Sequence, residues 1–300
     1  MGCLKLVKIS KESLFIFQHK LIFQIKGLFE VYIHHFLHAR LFIEFIQNCK
    51  FMNFVLPITV LFLFSSFSFA KPNKKITFLI AEREYQTESS IPKFIDEHLK
   101  ELYTTSICNA ANEGSQRHNL SNPNFISDAD LLFFSVRRRA FSKKVMQSIR
   151  KHIDKGKPIL GIRTASHAFQ LRKESLPAGH QEWKEWDREV IGGNYNGHLG
   201  KGLICSISPH LKTKEHLILE EVKLPFSTPA TLYRNSPLPN RSLPLLIGSV
   251  RGYPSEPVAW THKTMSNGRV FYTSLGHIED FQKPSFNQLL KNAIKWCLNK

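Results

Sequence analysis

The 300 residues are enough for one large domain or two small ones, and 42% hydrophobic with 12% aromatic content supplies a sizeable core, which excludes a disordered or fibrous chain. A formal charge of +17 invites an acidic partner, but residues 1–51 hold seven basic and three acidic residues, residues 52–70 hold none, and residues 71–300 hold 34 basic and 21 acidic. The lysines are dispersed and no basic stripe is interleaved with aromatics, so nucleic acid is not an expected partner.

In chain order, residues 1–51 carry eight of the 24 phenylalanines, no proline and only Gly2 and Gly27. With neither turn vocabulary nor a clean period, they read as an over-extended start, the alternative being an amphipathic basic helix on a membrane. Residues 52–70 (MNFVLPITVLFLFSSFSFA) are uncharged and apolar, and Ser68-Phe69-Ala70 has the small-residue spacing that signal peptidase requires. The apolar run of about 16 residues is short for a span of roughly 30 Å, so a signal peptide is expected and a retained anchor is the alternative. Cleavage after Ala70 would release residues 71–300, read as a single domain, to the periplasm or outside the cell. Cys108, Cys205 and Cys297 form no C-x-x-C pair and sit among apolar neighbours, so buried thiols are expected.

Within that domain, Lys75–Ala81 is an apolar run of strand length, and residues 89–103 place Ile91, Phe94, Ile95, His98, Leu99 and Leu102 at helical spacing. Strands are expected at 106–110, 130–136 and 158–162, and a helix at 142–155 closed by Gly156. Strands apolar on both faces and separated by amphipathic helices specify a mostly parallel sheet covered on both sides. Beyond the glycine-rich stretch 192–202, strands are expected at 203–207, 217–222, 245–250 and 257–261. Asn267-Gly268 marks a hairpin into Arg269–Thr273, and 286–298 reads as a closing helix.

Ligands of open α/β sheets bind outside the carboxyl ends of the strands, near the switch point. Four polar clusters fall there: Glu82 to Tyr85, Arg137 to Arg139, Arg163 to His167, and the Gly276-His277-Ile278-Glu279-Asp280 stretch. Gly161-Ile162-Arg163-Thr164-Ala165-Ser166-His167 has the strand-turn-helix layout of a nucleophile elbow. His167, His198 and His277 each stand at a strand-to-loop exit, an arrangement that suits either a divalent metal with an open position or general acid–base work on a sugar. Glu279 would orient His277 or accept a substrate hydroxyl, with Asp280 the next carboxylate. Arg137, Arg139 and Arg163 would stabilise an oxyanion or grip an anionic sugar, one arginine of the triple pointing inward. Tyr85 and Trp186 are candidate substrate contacts, Trp183 and Trp186 forming either an aromatic wall or ordinary core. Thr164 and Ser166 could be nucleophiles only with an adjacent base, and the nearness of His167 in sequence is not hydrogen-bond geometry, so neither is expected to act as one.

The elbow and the late Gly276-His277-Ile278-Glu279 resemble the class I glutamine amidotransferases, whose elbow carries a cysteine and whose later strand supplies a His-x-Glu pair. His277 and Glu279 match that pair, but Arg163 stands in the place of the thiol, so glutaminase activity is not expected. More closely, residues 128–169, Gly192-Gly193-Asn194-Tyr195-Asn196-Gly197-His198 and Gly268 to His277 are similar to the ThuA-like (trehalose utilisation) family, a resemblance that covers nearly all of residues 76–298. It implies a flavodoxin-like three-layer α/β sandwich with a mostly parallel sheet and a carbohydrate or keto-sugar ligand. The expected function is an exported protein of sugar utilisation with acid–base or metal-assisted chemistry of hydrolase, lyase or isomerase type; the alternative is a non-catalytic carbohydrate-binding protein. A membrane enters only through the export signal, and a homo-oligomer is compatible with the sequence.

Overall fold

The computed structural model describes residues 73–200 and 202–299. The expectations for the upstream extension, the signal peptide and cleavage after Ala70 lie outside the described residues.

Strands β1 (Lys75–Ala81), β2 (Thr104–Asn109), β3 (Leu131–Val136) and β5 (Ile159–Ile162) alternate with helices α1 (Thr87–His98), α2 (Phe125–Asp128) and α3 (Lys143–Asp154). The chain continues through β7 (Cys205–Pro209), β8 (Phe226–Thr228), β9 (Leu243–Ser249), β10 (Glu256–Lys263) and β11 (Arg269–Thr273) to α4 (Pro284–Leu298). The nine-stranded sheet runs β2-β1-β3-β5-β11-β10-β9-β7-β8. Its first five strands pair in parallel, in the doubly wound order of flavodoxin-like sheets, and the other four extend it antiparallel. The short strands β4 (Phe141–Ser142) and β6 (His180–Gln181) pair separately.

Alternation along the parallel strands divides the core. Ile76, Phe78, Ile80, Leu131, Phe133, Leu160 and Ile162 pack on one face with α1 and α4, while Leu79, Ala81, Leu132, Phe134, Val136 and Ile159 pack on the other with α2 and α3. Burial on both faces is why these strands read as unbroken apolar runs. Among the described residues, Cys108, Cys205 and Cys297 are buried and free, and burial pushes the Cys108 and Cys205 thiols up to about 11 and Cys297 to about 12, leaving them protonated and inert.

Two expectations need correction. The first helix ends at His98 rather than running to 103, and Leu102, expected to face inward, is 61% exposed because the chain turns after Leu99 to enter β2. Residues 217–222, expected as a strand, contain instead the 3₁₀ turn Leu217–Leu219. His216 accepts the Ile218 N–H, and Asn292 Nδ2 on α4 donates to the Ile218 and Glu220 carbonyls at 3.1 and 2.6 Å. These groups are therefore satisfied by a side chain instead of a neighbouring strand.

Candidate functional site at the carboxyl edge of the sheet

The turn after β5 forms the elbow. Arg163 holds a left-handed backbone (φ 49°), and Tyr272 Oη on β11 donates to its carbonyl at 2.5 Å. Trp186 Nε1 pins the turn one step further on by donating to the Ala165 carbonyl at 2.8 Å. A bulky residue in that region is strained, and a fixed side-chain direction is what such strain commonly secures. The Arg163 guanidinium is buried, donating to the carbonyls of Ser274 (2.6 Å) and Thr231 (3.1 Å), to Thr231 Oγ1 (2.7 Å) and to Tyr85 Oη (3.4 Å). Its carbon lies 4.6 Å from the ring centre of Tyr85 and 4.4 Å from that of Tyr233, a cation held between two aromatic faces. The elbow thus presents a fixed positive charge at the carboxyl edge of the sheet.

Histidines flank that clamp. The His167 ring stacks on Tyr195 (centroids 4.5 Å apart) and lies 6.0 Å from Tyr233, while the His277 ring meets Tyr85 edge-on at 6.1 Å. Burial, reinforced by the charges of Arg138, Arg137, Arg163 and Arg172, holds His167 well below the usual imidazole range, so it is neutral near pH 7. Ser166 Oγ lies 3.1 Å from His167 Nδ1, the hydrogen bond that adjacency in sequence could not establish. His277 Nδ1 accepts the Glu279 N–H at 3.3 Å, which places the ring proton on Nε2. Its loop is held by Asp280, a buried carboxylate accepting the Gly276 and His277 amides at 2.9 and 3.0 Å. His198 is exposed, its Nδ1 2.7 Å from the Leu199 carbonyl and its ring 6.2 Å from Tyr233.

The structure thus gathers Tyr85, Arg163, His167 and His277 at one mouth, with His198 at its rim. It does not bring the three histidines together as ligands: among the described residues no group of three His, Cys, Asp or Glu side chains is arranged to hold a metal ion. Glu279 is exposed and meets His277 through its backbone N–H rather than its carboxylate. Arg137 pairs with Glu84 at 2.8 Å. Arg139 is buried and bonds the Arg137 and Asn112 carbonyls, tying loops together, and it is Arg138, in a left-handed conformation, that lies beside His167. Trp186 is 1% exposed and packs on Phe134 and Phe169 in the core, while its ring also borders the cleft beside His167. Trp183 and Trp186 line a narrow cleft of about 30 Å³ together with Ser166, His167, Gln170, Asp187 and Tyr195.

Three contributors were not singled out from sequence. Tyr233 and Thr231 arrive because the 196–199 stretch pairs with 232–234 through backbone bonds such as Leu199 N–H to the Leu232 carbonyl (2.9 Å), a pairing no local pattern announces. Asp187 lay in plain view next to Trp186, and Gly192-Gly193 six residues on was the available signal.

The sheet order and the elbow after β5 define a flavodoxin-like α/β protein with an arginine at the elbow's tip. A model of the trehalose utilisation (ThuA) family matches residues 75–297, and the chain belongs to that family. Among solved structures it is similar to a putative ThuA-like protein from Parabacteroides merdae, with 14% identity and a TM-score of 0.56 over 76% of this chain and 91% of that one. It is also similar to the mmIFT52 N-terminal domain, at 13% identity and a TM-score of 0.49 over 76% and 98% of the two chains. No curated protein matches the chain in sequence.

Proposed function

We propose that this ThuA-family chain acts on a sugar derivative by acid–base chemistry at the Arg163 mouth, with no cysteine intermediate, and that it works outside the cytoplasm after removal of residues 1–70. The observation that carries this is the elbow itself: Arg163, clamped between Tyr85 and Tyr233, sets a permanent positive charge between His167 and His277. Such a charge favours an oxyanion or enolate developing nearby, while imidazoles on either side can exchange protons with hydroxyl or carbonyl groups. Family membership supports the carbohydrate context, and the apolar run 52–70 supports export.

The test is turnover of trehalose and a panel of keto-sugars by the purified chain, with and without chelator. Turnover of at least one sugar is expected, with His277→Ala lowering it by about 10²–10⁴-fold. No turnover, together with unaltered sugar binding in His277→Ala, overturns the catalytic reading in favour of a carbohydrate-binding protein. Metal content by emission spectroscopy decides between ligation and titration for the histidines: stoichiometric metal that disappears in His198→Ala establishes ligation.

A further inference from the structure

We propose that Asp187 is the proton donor of this site, its Oδ1 giving a proton to an oxygen of the sugar derivative that enters the cleft lined by Ser166, His167, Trp183 and Tyr195. The inference rests on the function proposed above and names a residue that function does not require.

Asp187 opens a π-helical turn (Asp187–Ile191), a local irregularity that often marks functional positions. Its Oδ2 accepts the Tyr195 N–H at 2.7 Å, and its main-chain carbonyl accepts the Gly193 N–H at 3.0 Å, so the carboxyl is fixed in direction. Gly193 makes the room: a Cβ there would stand 2.4 Å from Asp187 Oδ1. That oxygen is covered and has no hydrogen-bond partner among the described residues. A buried acceptor that costs stability and has no structural partner is what a ligand-contacting group looks like before its ligand arrives.

The chemistry fits. The residue lines the same cleft as Ser166, His167 and Tyr195. Burial pushes its carboxyl up to about 7, against the Tyr195 N–H, which favours the charged form. The titratable groups around it are His167, Lys184 and Tyr195 on the cleft wall and Tyr272 on β11, and none of them forms an ion pair with it. With Oδ2 accepting from the amide, the proton sits on Oδ1. In the step, that O–H bond breaks, a new O–H bond forms on the ligand oxygen, and the Asp187 carboxylate left behind keeps the Tyr195 amide until water returns the proton.

The experiment compares the wild-type chain with Asp187→Asn across roughly pH 5.5–8.5, using trehalose and the keto-sugar panel and reading both turnover and thermal unfolding. Wild-type kcat/KM is expected to fall about tenfold per pH unit above a break near 7. Asp187→Asn should lose that break and run about 10²-fold slower at the lower end. A carboxyl protonated in the folded state but ionised in the unfolded one loses its stabilising contribution as pH rises through its folded value, so the variant should gain stability over wild type toward alkaline pH. Retention of the break in Asp187→Asn, or equal pH dependence of unfolding in both proteins, overturns the role of Asp187 while leaving the proposed function standing. No binding or turnover of any sugar by wild type at any pH overturns both.

Discussion

Arg163 stands at the tip of the elbow after β5, and its surroundings explain why an arginine is held there. A guanidinium offers five donors in a planar fork, and here they reach two main-chain carbonyls and two hydroxyls from three separate segments, with the rings of Tyr85 and Tyr233 packed against it. Lysine could not satisfy that set from one ammonium. Arg163→Met is therefore expected to leave the Thr231 and Ser274 carbonyls unpaired and to lower stability by on the order of 3 kcal/mol, measured by urea unfolding. A change below about 0.5 kcal/mol would mean that the clamp contributes nothing to the fold. The same variant should weaken sugar binding if the charge serves the site, which separates it from a change that only loosens packing.

Elements were legible to the extent that their own burial pattern determined them. β1, β3 and β5 are covered on both faces and announced themselves as apolar runs, and α3 was bounded by its cap: Ser142 Oγ accepts the Val145 N–H, and Gly156 takes φ 66° just past the end. The 217–222 stretch failed because an apolar Leu-Ile-Leu is ambiguous until the partner is known, and the partner is Asn292 on α4, more than 70 residues later. Asn292→Ala should cost about 1 kcal/mol by denaturant unfolding, since the part-buried Ile218 carbonyl and the exposed Glu220 carbonyl lose their shared donor. A neutral result would return the 3₁₀ turn to local preference alone. The candidate site divides likewise: the elbow and the His277 loop could be read from strand ends, whereas Tyr233 depends on a non-local pairing with the glycine-rich loop.

At the scale of the whole molecule, the described domain gathers some arginines around His167 and spends others in loop ties such as Arg117 with Glu174 at 2.7 Å. Among the described residues, no helix is long and apolar enough to cross a membrane. Buried histidines make the fold acid-sensitive. Burial takes His152, whose Nε2 lies 3.0 Å from the Pro158 carbonyl, down to about 4, and His167 moves in the same direction. The unfolded chain then binds protons that the folded one refuses, so stability should fall from about pH 6.5 downward, by about 3 kcal/mol from His152 alone on reaching pH 4. Unfolding free energy that is flat over this range would show that both imidazoles are protonated without cost. The most direct test of the central claim, that the Arg163 mouth holds the sugar, is a titration of the ¹⁵N-labelled chain with the keto-sugar panel, followed at the imidazole nitrogens of His167 and His277 and at the Tyr195 amide. The expected result is that all three shift together along one saturating curve; a sugar that binds while leaving all three unmoved would contradict it.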